Sequence, residues 1–472
     1  MRKKPLALLL ALCLACSLAA CETSGQTNRS LTIFAANQNI VKAIDLPLHH
    51  YRFEHPEIDV QVLPLPEGCP ELGPYEGDDY DSYLRSYLEE RDKYESNELA
   101  TFYEDIRGQL IAGNGPDLLI FDSAVFPDVH KAITSGAFAD LSPLLNATGE
   151  FDSADFSALA LAAGQYRDRQ YVMPLFYDFA GLYTSSSIYP QNQRQDRPAA
   201  FDLTAAGTFT GLMEEAARLS ERNPTRIFYN DVFPLHWTGC AGLELLDYES
   251  GKVNLDSPEF RSIQQSLATL YQNGQLETES FSVFDRWSTV IDGSAQFTYF
   301  TSLQTGLTKS FSSAITSDED GLGLLRQSPA LDQYLPVRTV TGGIQGQVLL
   351  SASIRSGSPN QRNACEFLME LLADDFQSGS VHYSDSLPVR TLNVQDRAAG
   401  IRSSYEAAFG AKAPQSYTDN YLKWVGEIDR IVFPTDLDDR LLEYFTPYYK
   451  GNSPYEECLK QAKAQLMIAV SE

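Results

Sequence analysis

Tyr171-Val-Met-Pro-Leu-Phe-Tyr-Asp-Phe-Ala-Gly-Leu-Tyr183 is an apolar, aromatic-rich run interrupted by one proline, Pro174, and one carboxylate, Asp178. A strand buried along its whole length has no use for either. Proline removes a ladder donor, and an unpartnered buried carboxylate is costly. The run therefore reads as a crossing segment: one half packs in one lobe, the other half in a second, and Tyr177 and Asp178 face a cleft between them. An ion pair inside a core would satisfy Asp178 equally well. The crossing reading gains weight from position, because complete α/β units lie upstream of it.

Those units are legible from periodicity. Leu31-Thr-Ile-Phe-Ala-Ala is a short strand, residues 40–55 carry helical spacing up to Pro56, and Ile58-Asp-Val-Gln-Val-Leu alternates as a second strand. Residues 99–112 form an amphipathic helix closed by Gly113, and Gly115-Pro-Asp-Leu-Leu-Ile-Phe-Asp122 is a loop feeding a buried strand. Polar residues just past parallel strands lie at the crevice edge where open α/β sheets take ligands, which nominates Asn37, Gln38, Asp122 and Ser123. Cap or turn roles suit the same residues. The segment between these units, 64–96, is acidic, Tyr-rich and marked by Pro and Gly. It reads as an insertion partly resolved into a helix over 83–94, and its Asp78, Asp79 and Asp81 lack calcium-loop spacing and suit a solvated face.

Downstream of the opening run, helices are expected over 209–221, 257–273 and 360–372, with a mostly helical tail from Ser403. Ala295-Gln-Phe-Thr-Tyr-Phe-Thr-Ser302 reads as a strand entering a loop. Thr341-Gly-Gly-Ile-Gln-Gly346 is a Gly-rich turn entering another, where Gly343 and Gln345 would let backbone and an amide approach a ligand or simply make the turn. Trp237 stands in a short aromatic cluster and suits either a sugar face or a core.

Length and charge bound the function. A chain of 472 residues with 43% hydrophobic content fills two or three domains. Its formal charge is −27, and loss of Arg2, Lys3 and Lys4 with a leader takes it to −30, which argues against nucleic acid and anionic lipid surfaces. Met1-Arg-Lys-Lys followed by the apolar stretch 6–20 reads as an export signal too short to span a bilayer. Leu18-Ala19-Ala20-Cys21 resembles a bacterial lipobox, with Cys21 as the acylation point, so the expected organisation is a signal peptide over 1–20 and a lipidated tether over 21–30, anchored to the cell membrane and facing away from the cytoplasm. Cys69, Cys240, Cys365 and Cys458 have no zinc spacing and read as structural thiols, with one disulfide among them allowed. His49, His50 and His55 read as a solvated helix face, and neither a metal nor another cofactor is expected.

Together, Gly113-Asn-Gly-Pro-Asp-Leu-Leu-Ile-Phe-Asp, Gly136-Ala-Phe-Ala-Asp-Leu-Ser-Pro, Gln170-Tyr-Val-Met-Pro, Gly181-Leu-Tyr, Leu255-Asp-Ser-Pro-Glu-Phe and Leu387-Pro-Val-Arg390 resemble, in order and spacing, the family 1 extracellular solute-binding proteins that serve ABC importers. The resemblance implies a periplasmic-binding-protein-like α/β fold with two lobes, a hinge of three crossings and a ligand cleft between them. It places the crossings on the opening run, near Thr278 and near Ser328, giving a first lobe of 31–176 plus 279–328 and a second of 177–278 plus 329–472. It also implies that Asp178 receives sugar hydroxyls, that Tyr299, Phe300 and Ser302 lie on a strand-end loop offering a stacking aromatic, and that Asp436 stands where relatives place another aromatic. The implied protein is a non-enzymatic, monomeric receptor that passes a small solute, a carbohydrate before others, to an ABC permease. The alternatives are an exported lipoprotein glycan hydrolase and a transporter-less surface sensor or adhesin. Gly-x-Ser-x-Gly, His-Glu-x-x-His and Walker motifs are absent from the sequence, whereas 63 acidic residues leave carboxylate pairs for glycoside cleavage open.

Overall fold

The computed structural model describes residues 29–71, 80–183, 202–221, 226–228, 237–276, 295–300, 334–379, 383, 386–409, 412 and 415–471. The leader and Cys21 lie outside them. Strands are β1 (Ser30–Ala35), β2 (Asp59–Val62), β3 (Leu118–Phe121), β4 (Met173–Phe179), β5 (Gly181–Tyr183), β6 (Arg226–Phe228), β7 (Ala295–Phe300), β8 (Tyr334–Pro336), β9 (Ile344–Ile354), β10 (Leu387–Pro388) and β11 (Ile428–Val432), with two further two-residue ladders at Gln165–Tyr166/Arg169–Gln170 and Leu246–Asp247/Lys252–Val253.

Seven strands form one mixed sheet in the order β10-β4-β9-β3-β1-β2, with β11 also on β9. β1 runs parallel to β2 and β3, and all four residues of β3 are buried, as expected for a parallel strand covered on both faces. The eleven-residue β9 is the spine. It is antiparallel to β4 over most of its length, antiparallel to β3 through its last four residues, and parallel to β11 near its start. A smaller sheet, β8-β5-β7-β6, lies in the second core.

The opening run is resolved by this arrangement. β4 is a fully buried seven-residue strand of the first sheet, and β5 belongs to the second. Phe179 packs in the first hydrophobic core and Ala180 in the second, so the chain crosses at Ala180. Pro174 is tolerated because it is the second residue of β4 and faces β9 beside a register irregularity at Leu350/Ser351, where a ladder donor is dispensable.

The lobe boundaries differ from expectation. β9, β10 and β11, all within 344–433, pack with the first core rather than the second, because a strand as apolar as β9 needs partners on both edges and β3 and β4 supply them. β7 pairs with β5 and β6 in the second sheet rather than joining the first lobe. Among the described residues the chain passes between cores at Ala180, between Val340 and Ile344, and between Phe433 and Leu437. The expected crossings near Thr278 and Ser328 lie outside the described residues. The tail contains helices Gln415–Gly426, Leu437–Tyr449 and Tyr455–Ser471, but β11 interrupts the helical reading.

The motif Gly113-Asn-Gly-Pro-Asp117 anchors the far end of the first sheet. Asp117 accepts from the Thr32 backbone N–H at 2.9 Å, the Ser358 hydroxyl at 2.6 Å and the Asn360 amide at 3.0 Å, with the Arg355 guanidinium 3.6 Å away. Arg355 in turn donates to the carbonyls of Pro116 and Gly113. This network joins β1, β3 and the end of β9. Cys69 is exposed while Cys240, Cys365 and Cys458 are buried, and no disulfide joins any two of these four.

Candidate functional site

The carboxyl ends of β1 and β3 open onto a cavity of about 680 Å³. Parallel strands leave their following loops on one sheet edge, so Asn37 and Asp122, 85 positions apart, meet there. Asn37 caps the helix Gln38–Ala43 by accepting from the Ile40 N–H at 3.0 Å, and its amide donates to Asp122 Oδ2 at 2.7 Å. Asp122 Oδ1 accepts from the Ala124 N–H at 3.0 Å. Burial raises the Asp122 carboxyl above its ordinary range, partly offset by the Ala124 N–H and the Asn37 amide. Gln38 is exposed at the rim, and Ser123 is an exposed turn residue outside the lining.

The opposite wall comes from described residues on either side of 72–79, within and just past the segment read as an insertion. Leu65, Cys69, Pro70 and Glu71 line the cavity from one side, and Tyr87, Arg91, Tyr94, Glu95 and Leu99 from the other. Tyr94 is buried and its hydroxyl donates to the Pro66 carbonyl at 2.9 Å; Tyr103 at the base donates to the Ala36 carbonyl at 3.0 Å. The charges facing the cavity, Lys42 and Arg91 against Glu71, Glu95 and Asp122, nearly balance. Such a site offers aromatic surface with a few fixed polar groups, the combination that suits an uncharged polyhydroxylated ring. The i+4 recurrence of Tyr87, Arg91 and Glu95 is the sequence signal that could have found part of this wall. Asp78 and Asp79 lie outside the described residues, and the side chain of Asp81 is likewise undescribed.

Apart from Ser302, the remaining candidates lie in β4, in the second lobe and at the second and third crossings. Asp178 is fully buried in β4 opposite Gln347, and its Oδ1 accepts from the Phe179 N–H at 2.7 Å. It does not face open cleft. Asp178→Ala is therefore expected to lower the melting temperature of the empty protein, at a cost of about 1–3 kcal/mol for the orphaned donor, and an unchanged midpoint would contradict that placement. Tyr177 is buried opposite Leu387, with its phenol pushed up to about 12 by burial. Trp237 is a core side chain, 1% exposed, between Phe209 and Phe260, rather than a sugar platform. The backbones of Tyr299 and Phe300 lie in β7 against Leu182 and Gly181, and Ser302 falls outside the described residues.

At the second crossing Gly342 takes a left-handed conformation (φ +89°), which glycine adopts without strain, and the Thr339 N–H donates to the Gly343 carbonyl at 2.9 Å. A side chain on Gly343 would collide with Asp429 Oδ2 at 1.9 Å, so the glycine is explained by packing. The Gln345 amide donates to the Thr238 carbonyl at 3.3 Å. At the third crossing Asp436 pairs with Arg440 at 2.7 Å and its N–H donates to the Pro127 carbonyl at 3.1 Å. The two lobes also touch directly: the Tyr248 hydroxyl donates to Asp128 Oδ2 at 2.5 Å, the Tyr248 ring stacks on His130 at 5.0 Å, and Arg430 faces Glu244 at 3.6 Å. Burial lowers the His130 imidazole pKa, opposed by Asp128 and reinforced by Arg430.

His49 lies on the exposed helix face expected of it, whereas His55 caps the helix Asp45–Glu54 half-buried against Tyr51, and His50 has a partner that sequence spacing did not reveal. Its Nδ1 lies 2.7 Å from Glu370, 320 positions away, and its Nε2 lies 3.5 Å from Glu54. The three form a group of metal-ligand types, His50 and Glu54 exposed and Glu370 half-buried, and the Glu370 hydrogen bond raises the His50 pKa.

No family model matches the chain, and no curated protein matches it. Among solved structures it is similar over most of its length to several binding proteins. The GacH receptor of Streptomyces glaucescens, solved unliganded and with acarbose, aligns at a TM-score of 0.53 and 14% identity, covering 94% of this chain and 98% of that one. An ABC substrate-binding protein of Listeria monocytogenes in complex with cycloalternan aligns at 0.53 and 14%, covering 94% and 98%. The sugar-binding protein MalE of Xanthomonas citri aligns at 0.57 and 13%, covering 94% and 97%. The chain thus has the two-lobed α/β fold of these proteins.

Proposed function

We propose that this chain is an extracellular solute-binding receptor of the family 1 type, that it captures a neutral carbohydrate without altering it, and that it hands the sugar to an ABC permease. The observation that carries this reading is the polar, aromatic-walled cavity at the carboxyl ends of β1 and β3, set beside a three-segment connection between two separate cores. Such a connection supports hinge closure around a guest. Similarity to proteins solved with acarbose and cycloalternan supports the sugar class. The lipobox at Cys21 supports anchoring to the outer face of the cytoplasmic membrane.

A thermal-shift screen of glucose, maltose, maltotriose, cellobiose, sorbitol, a tetrapeptide and spermidine tests the reading. A saccharide is expected to raise the unfolding midpoint by mass action, and no reducing-end product should accumulate on incubation. Asp122→Ala should weaken that saccharide by roughly tenfold to a hundredfold in calorimetry, the range for a lost hydrogen bond to a charged group. Stabilisation by spermidine or peptide alone, or hydrolysis of a glycan, would overturn the assignment.

A further inference from the structure

The helix Tyr80–Tyr94 passes into Ala100–Ile111 through a wider π-helical turn, Glu95–Leu99. An α-helix turns about 100° per residue, so the sixteen steps from Tyr87 to Tyr103 would carry the second side chain about 160° from the first. An i→i+5 turn absorbs one extra residue and brings the difference back to about 60°. That rephasing is why Tyr87, Arg91, Glu95, Leu99 and Tyr103 all line one cavity although they span more than four turns.

The widened turn is stabilised locally. The Lys93 carbonyl, at the point where the helix opens, accepts from the Asn97 amide at 2.8 Å and the Ser96 hydroxyl at 3.3 Å. Ser96 and Asn97 are exposed, while Tyr94 and Leu99, five positions apart and both buried in the first core, come onto one face through this turn. Its visible consequence is the orientation of Tyr87 and Arg91. The Arg91 Nε donates to Glu95 Oε1 at 2.7 Å, and the Tyr87 hydroxyl also bonds Arg91. Across the cavity stand Asn37 and Asp122.

We propose that the insertion 80–99 is the specificity wall of the sugar site, and that its π-turn exists to aim it. The adjacent guanidinium and carboxylate of Arg91 and Glu95 present a donor and an acceptor side by side. This arrangement matches a vicinal diol, in which one hydroxyl accepts from Arg91 and its neighbour donates to Glu95, while Tyr87 offers its ring face to the sugar C–H groups. The class selected is a neutral saccharide with adjacent free hydroxyls. This inference rests on the receptor reading above and deepens it.

The test uses the mature protein, its Arg91→Ala variant and a variant with one alanine inserted after Asp92, which adds a residue ahead of the π-turn and swings Tyr87 and Arg91 about 100° out of the cavity. Maltotriose, cellobiose and glucose are titrated by calorimetry. The expected result is that the saccharide bound best by the parent loses about tenfold or more in affinity in both variants, with the empty-protein midpoint within a few degrees of the parent. Should the insertion fail to fold, Arg91→Ala alone decides. Parent-like affinity in a folded variant overturns the specificity wall and leaves the receptor reading standing. Failure of the parent itself to bind any of the three overturns both.

Discussion

Replacing Asp438 by asparagine should remove the loss of stability that ionisation of this buried carboxyl imposes between pH 4 and pH 8. Asp438 is buried at the start of the helix that follows the third crossing, where it accepts from the Thr238 N–H at 3.0 Å and the Thr238 hydroxyl at 2.7 Å. Burial outweighs these bonds and lifts its pKa from 3.8 to about 7. A carboxyl whose folded-state pKa lies above its unfolded value binds more protons when folded. Its stabilising contribution is therefore complete below about pH 4 and is lost as pH rises through 7. At about 1.36 kcal/mol per pKa unit the ceiling is about 4 kcal/mol. Asparagine keeps an acceptor for the Thr238 N–H and never ionises. In urea unfolding, the variant should match the parent near pH 4 and exceed it at pH 8. Parallel curves at the two pH values would mean that Asp438 does not titrate in this window. The site matters because Thr238 also takes the Gln345 amide, so a charge on Asp438 acts where the second and third crossings meet.

Gly164→Ala should be among the most destabilising single substitutions in the first lobe. An added methyl at this position would lie 1.8 Å from the Val172 carbonyl oxygen, a backbone atom that cannot swing aside. The Gly164 carbonyl meanwhile accepts the N–H groups of Tyr171 and Val172 and so fixes the entry to β4. Relief would require shifting either that entry or the helix Ala158–Ala163. The expected cost is about 3 kcal/mol, the upper part of the usual overpacking range. The denaturation midpoint should drop accordingly, with the second lobe's core least affected. A near-neutral result would show that the β4 entry can move, and would weaken the description of β4 as a rigid element leading into the hinge.

Some of this was written in the chain itself. Local pattern sufficed for β1, β3 and the helices near 209–221, 257–273 and 360–372, because burial of one face leaves a period that a short window records. Ser257 followed by Pro258 marks its helix start through side-chain capping and a fixed φ, and the structure shows both. The crossing within 171–183 was legible too, because a proline, a carboxylate and a glycine punctuate an otherwise apolar run. So was the place of Asn37, Gln38 and Asp122 at the cavity's sheet edge, since strand-end position follows from topology alone. What local pattern could not supply was partnership at long range. The assignment of β9 to the first core depends on β3 and β4 offering free edges. The burial of Trp237 depends on Phe209 and Phe260 closing round it, and the pairing of His50 depends on Glu370.

The sequence by itself determined an α/β chain with two cores and the strand ends that border the cavity, because these follow from hydrophobic periodicity and parallel connectivity. Only the tertiary structure decided where the second and third crossings fall among the described residues, that Asp178 is sealed inside β4, and that an acidic insertion turns a tyrosine- and arginine-bearing face toward Asn37 and Asp122. The physical reason is common to all three. Each depends on which distant surfaces remain unpaired once the local elements exist, and on a helical phase that one extra residue in a single turn is enough to reset.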